Sequence, residues 1–206
     1  MKPFGKFLLL GLLFSAAFLS AGSAEGLEIK IQAVAGVPTK EYLDTCVGTG
    51  FGFAIPLERG LSLSFDAGCW KSNLGEAPAP FYDGRLRAFP LSASLYFFPL
   101  CQKAINPCVF LGGSYVFSSF TMQDIITIPE ITIDQSIKNG LCFRAGFGID
   151  ARISRVLGIF METGYFYRET KGIATIADLN FGTSTQEIPL DLSALIFQIG
   201  IKYFIE

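Results

Sequence analysis

The chain has 206 residues, a net charge of −2 and no histidine; half of it is hydrophobic, with 21 Phe, 7 Tyr and 22 Gly. So small a charge gives no electrostatic basis for binding nucleic acid. Without His or a Cys-x-x-Cys pair there is no metal-ligating spacing, and no cofactor is implied.

Lys2 and Lys6 precede an apolar run from Phe7 to Leu19, and small residues continue from Ser20 to Ala24. That order predicts a secretory signal peptide over 1–24, cleaved after Ala24, leaving 25–206 as one domain. Beyond it, no stretch approaches the roughly 18 apolar residues of a membrane helix.

The remainder of the chain alternates. Leu27–Ala35 places Leu27, Ile29, Ile31 and Ala33 on one face and Glu28, Lys30 and Gln32 on the other. Val47–Leu57 sets Val47, Phe51 and Phe53 against Gly48, Gly50 and Gly52, and Leu61–Trp70 sets Leu61, Leu63 and Phe65 against Ser62, Ser64 and Asp66. Arg85–Phe98, Cys108–Phe120, Leu141–Ile153, Ile159–Arg168 and Leu190–Ile205 repeat the pattern. Each is long enough for a tilted strand to cross a bilayer, roughly 9–11 residues. One face is large and apolar; the other is small, polar or charged. A soluble barrel requires apolar residues inside, whereas a membrane barrel turns them toward lipid.

The connectors alternate too. Gly36–Cys46, Lys71–Gly84, Gln123–Gly140 and Lys171–Ile188 are long; Glu58–Gly60 and Ser154–Gly158 are tight, with Leu100–Pro107 between. The sequence therefore predicts an all-β fold: a single antiparallel up-and-down transmembrane β-barrel of eight strands, with short periplasmic turns and longer extracellular loops. Pro90 removes a ladder donor, which predicts a bulge there. Within the loop Asp124–Lys138, Ile alternates with polar residues, which predicts that strands five and six extend as a hairpin beyond the membrane.

The inward charges are Glu28, Lys30, Asp66, Arg144, Asp150, Arg152, Glu162, Arg168 and Lys202. Buried charges must pair, so these are read as an ion-pair plug; the alternative is a gated polar path, for which the inward glycines leave room. Asp150 and Glu162 are expected nearly opposite each other, offset by Arg144 or Arg152. Tyr96, Phe97, Phe98, Tyr203 and Phe204 are expected to form an aromatic girdle at the periplasmic rim. The five cysteines are an odd number in an oxidising compartment. Cys101 and Cys108 flank QKAINP, a spacing that allows a bridge closing that turn.

Three stretches carry a family likeness. They are Leu95–Pro99 with Pro107–Tyr115; Ala145–Arg152 with Phe160–Tyr167; and the terminal strand, where Gln198, Gly200, Tyr203 and Ile205 stand in the order polar, glycine, aromatic, apolar. They resemble the eight-stranded OmpA/OmpX/OmpW-type outer-membrane β-barrels, whose terminal strand is the signal for the barrel-assembly machinery. The chain departs from the pattern at Cys108, where an aromatic is frequent, and at Ile205-Glu206, where a terminal Phe is usual.

The resemblance implies a bacterial outer-membrane location, lipid contacts, and surface loops for a structural or surface-interaction role, with an extracellular ligand expected there. Enzymes on such barrels rely on a catalytic His, absent here, so the expected role is non-enzymatic. Two alternatives stand beside it. One is an OmpW-like transporter or narrow channel for small apolar or polar solutes, with an apolar patch from Trp70 or Phe120 in the upper barrel and a lateral opening. The other is a soluble periplasmic, lipocalin-like ligand-binding barrel.

Overall fold

The computed structural model describes residues 26–57, 60–75, 83–100, 104–122, 131–178, 180 and 182–205. The predicted cleavage site at Ala24 lies outside them. Strands follow in the order β1 (Leu27–Pro38), β2 (Cys46–Pro56), β3 (Leu61–Leu74), β4 (Gly84–Phe97), β5 (Ile105–Met122), β6 (Ile131–Ile137), β7 (Gly140–Arg152), β8 (Leu157–Tyr167), β9 (Glu169–Asp178), β10 (Gly182–Asp191) and β11 (Ala194–Ile205).

Eight of these close an antiparallel barrel in the order β1-β11-β8-β7-β5-β4-β3-β2. β1 and β11 seal it, from Leu27↔Ile205 to Pro38↔Ala194. Crossing paired neighbours from Glu28 through Ala54, Ser64, Ser94, Gly112, Arg144, Phe166 and Ala194 returns to β1 at Pro38, ten residues on. That stagger tilts the strands, and eight of them enclose a lumen just wide enough for side chains. At one tight turn Gly60 has φ 77°, which a side chain disfavours, and Leu57 N–H donates to Leu61 O at 2.7 Å.

The alternation is realised. Ile31, Phe51, Leu111, Phe143, Phe147, Met161 and Ile199 point outward and are 57–67% exposed. An apolar belt of this extent would be unstable against water, and closure leaves no strand edge for lipid to satisfy. It is a lipid-facing surface, which opposes the soluble, lipocalin-like reading.

Three strands depart from expectation. β6, β9 and β10 form a separate sheet in the order β10-β9-β6 at the loop end. The segment 131–137 does form a strand, but it pairs with β9, from Ile131↔Asp178 to Ile137↔Gly172, and not in a hairpin with β5. The span expected as a loop after Lys171 is the β9–β10 hairpin. The predicted last strand is interrupted at Leu192-Ser193, which separate β10 from β11. The reason is burial: Ile137, Ile188, Leu190 and Leu192 pack with Leu43, Leu74 and Leu86 into an apolar cluster over the barrel mouth. Tyr42 secures the cap, its hydroxyl donating to Asp191 O and accepting from Asp191 N–H, both at 2.8 Å.

Candidate functional site

The lumen has two storeys. The lower one, toward the chain termini, is polar and filled. Lys30 Nζ lies 3.2 Å from Asp66 Oδ1, and Arg144 Nη2 lies 3.6 Å from Asp66 Oδ2. Ser64 Oγ donates to Asp66 Oδ2 at 3.0 Å. Arg144 donates through Nε to Ser94 Oγ and through Nη2 to Tyr96 Oη, both at 2.9 Å. Tyr96 Oη donates to Glu162 Oε2 at 3.0 Å. Below, Lys202 sits between Asp150 and Glu28, 3.4 Å from Glu28 Oε2. Aromatic faces complete the wrapping: Lys30 Nζ is 4.9 Å from the Tyr96 ring, and Arg144 is 5.1 Å from that of Phe110.

This plug gathers Glu28, Lys30, Asp66, Arg144, Asp150, Glu162 and Lys202. Two expected members are elsewhere. Arg152 is exposed at the β7–β8 turn, donating to the carbonyls of Ser154 and Arg155. Inward parity does not bury it, because it lies where the barrel ends. Arg168 is buried, but at the opposite end of the lumen. Asp150 pairs with Phe160 and Glu162 with Gly148 across β7–β8, so the two carboxylates are diagonal; Lys202, not Arg152, neutralises Asp150.

The inward glycines seat side chains and do not leave space. A Cβ at Gly112 would stand 2.1 Å from Ser94 Oγ, and one at Gly148 would stand 2.8 Å from Glu162 Cγ. The expected aromatic girdle divides by parity: Phe97 and Tyr203 are exposed outside, while Tyr96, at 2% exposure, is lumenal and partners Phe98 and Phe110. Phe204 also turns from lipid, stacking under Arg152 at 4.5 Å. In the terminal strand Gln198 is buried inside, Gly200 lies against Phe160, and Tyr203 and Ile205 face outward. Cys108 is a free, buried thiol; its expected partner Cys101 lies outside the described residues.

The upper storey is apolar. Val34, Cys46, Ala88, Val116, Cys142, Phe166, Ala194 and Ile196 form one buried cluster, with Trp70 packed against it. Trp70 and Phe166 meet edge-on, centroids 5.0 Å apart. Within this storey is a cavity of about 40 Å³ bordered by Trp70, Leu86, Phe166 and Ile196. Trp70 does face the lumen there, and Phe120 packs with the cap above it. The rest of the chamber was legible only as a change along the inward positions. Val34, Val116, Phe166 and Ile196 carry no charge, where those nearer the termini mix charges with the rings of Tyr96, Phe110 and Phe160.

The hydrogen-bond ladder in the wall of this chamber is interrupted. β3 and β4 pair from Leu61↔Phe97 to Ala67↔Leu91 and again from Trp70↔Ala88 to Leu74↔Gly84, but not across Gly68, Cys69, Phe89 and Pro90. The register is the same on both sides, so Pro90 produces no bulge; it leaves a gap in the ladder only, with the two strands still side by side. Proline has no N–H to give, and its ring lies over Gly68 opposite, where a Cβ would stand 3.5 Å from Pro90 Cγ. The pair above the gap, Trp70 and Ala88, lines the cavity.

Known structures share this architecture. OprG from Pseudomonas aeruginosa superposes with a TM-score of 0.72 at 14% identity, covering 89% of this chain and 97% of that one. A major outer membrane protein from Thermus thermophilus gives 0.57 at 15% identity, covering 87% and 99%. The E. coli outer membrane protein W gives 0.55 at 16% identity, covering 89% and 100%. No protein-family model matches the sequence, and neither does any curated protein. The chain therefore has the fold of the eight-stranded outer-membrane β-barrels, as its motifs led one to expect.

Proposed function

We propose that this protein is a non-enzymatic conduit of the bacterial outer membrane that takes small apolar molecules into its upper chamber and releases them sideways into the bilayer. The single observation that carries this is the stacking of an apolar chamber on a closed polar floor, with a ladder gap in the chamber wall. A solute in the chamber would have to displace desolvated ion pairs to go down, whereas at Pro90 fewer ladder bonds hold β3 to β4, so parting that seam toward lipid costs less. The belt supplies the lipid partnership. The terminal strand, with Gln198, Gly200, Tyr203 and Ile205, serves as the signal to the assembly machinery, and 1–24 as the export signal.

The test uses the free thiol of Cys69, which stands in the gap. Phe89→Cys would place a second thiol opposite it, so that oxidation staples the seam. Cells carrying the wild-type barrel should take up N-phenylnaphthylamine, which fluoresces on reaching a bilayer, faster than cells without it. The oxidised variant should fall to the background rate and recover with reductant. No acceleration by the wild type would end the proposal.

A surface-interaction role has its own supporting observation, the sheet β6-β9-β10, whose strand β10 is exposed along residues 182–187. An exposed edge can accept a partner strand. Deleting residues 169–191 should then abolish surface binding while leaving the barrel folded.

A further inference from the structure

Arg168 is 2% exposed, at the upper end of the lumen. Arginine keeps its charge in proteins, and a buried charge is normally met by an opposite one. Here its Nη2 donates to neutral oxygens only, Ser118 Oγ at 2.6 Å and Lys138 O at 3.1 Å. Among the described residues no carboxylate forms an ion pair with it, and its Nε has no acceptor. Arg168 borders the 40 Å³ cavity, whose other polar lining is Lys71 and Ser72; no Asp or Glu lines it. The lower storey of the same lumen, by contrast, matches its cations with four carboxylates, Glu28, Asp66, Asp150 and Glu162.

We propose that the chamber is a binding site for amphiphilic carboxylates. The carboxylate accepts from the unanswered Nε of Arg168, and the hydrocarbon tail lies against Trp70, Phe166 and Ile196. This rests on the conduit reading and names its substrate class. A charge-assisted hydrogen bond in a dry site is roughly twice as strong as a neutral one, so an anionic head should be distinguished from a hydroxyl of equal tail length. A cationic head meets Arg168 and should be rejected.

Trp70 is the one tryptophan of the chain and lines the cavity, so its fluorescence reports binding directly. The full barrel, refolded in nanodiscs, would be titrated with hexanoate, hexanol and hexylamine. Hexanoate should saturate the Trp70 signal at a concentration about ten-fold below hexanol, and hexylamine should bind more weakly than both. Arg168→Met should bring hexanoate down to the level of hexanol and leave hexanol unchanged. A variant-free test runs beside it: as pH falls through about 4–5, where a simple carboxyl takes up its proton, wild-type preference for hexanoate should vanish. Equal binding of hexanoate and hexanol at pH 7 would overturn the assignment of Arg168 while leaving the conduit intact. No Trp70 response to either would overturn both.

Discussion

Asp66 holds two cations at once, Lys30 and Arg144, with 7% of its surface exposed. Asp66→Asn keeps the shape and removes the counter-charge, leaving two buried cations to share what remains. We expect a loss of about 3–5 kcal/mol, read from urea-induced unfolding in lipid vesicles. A loss below about 1 kcal/mol would mean that water enters the plug and solvates the cations, so the floor of the chamber is open. Glycines make a second prediction at this scale. At Gly146 a Cβ would stand 2.2 Å from Thr163 O and 2.6 Å from Gly164 Cα, both backbone atoms that cannot move aside; at Gly113 its nearest neighbour would be 3.7 Å away. Gly146→Ala should cost about 1–3 kcal/mol and Gly113→Ala almost nothing in the same assay; equal effects would show that the strands can separate locally.

At the scale of elements, β7 carries Phe147 near its middle, 62% exposed on the lipid face. Phe147→Arg should cost about 2–4 kcal/mol in a bilayer, measured as the shift in the folding midpoint. A neutral result would mean that the belt does not contact lipid. The β6-β9-β10 sheet carries an exposed ion-pair cluster. Glu187 accepts from Lys138 and Lys171 at 2.5 and 2.7 Å, and these cations hold its carboxyl down to about 2, below its ordinary 4.5. A carboxyl with a depressed pKa contributes stability above its unfolded value and loses it as pH falls through the folded one. Amide exchange across β9–β10 should therefore quicken, relative to a Glu187→Gln control, as pH drops from about 4.5 toward 2. Parallel profiles for the two proteins would mean that the bridges, exposed as they are, stabilise nothing.

For the whole molecule, the stagger of ten residues around eight strands decides which inward residues share a layer. It brings Asp66 of β3 and Arg144 of β7 together across the lumen, and it gathers the apolar inward residues into the storey above. A polar floor closes the lumen under an apolar chamber. Small ions should find no steady path, so conductance across a planar bilayer should stay at the leak level with the wild type and rise when Asp66→Asn loosens the plug.

The outward Ile, Phe and Leu positions and the eight crossings were legible in the chain, because a strand has a period of two and lipid demands one apolar face. Tight turns and long connectors were legible for a similar local reason. Tyr96 was not: its ring resembles a girdle residue, and only the closed lumen brings its hydroxyl to Arg144 and Glu162. Nor were the exile of Arg152, the pairing of β6 with β9, or the gap that replaced a bulge at Pro90. Each depends on the register between segments far apart in sequence. The isolation of Arg168 was equally hidden, since a charge counts as unpaired only once every neighbour around it is known. The sequence by itself thus determined the faces and the membrane-spanning order, through local alternation. The tertiary structure alone decided which side chains meet, because barrel closure and stagger set distances that no local pattern contains.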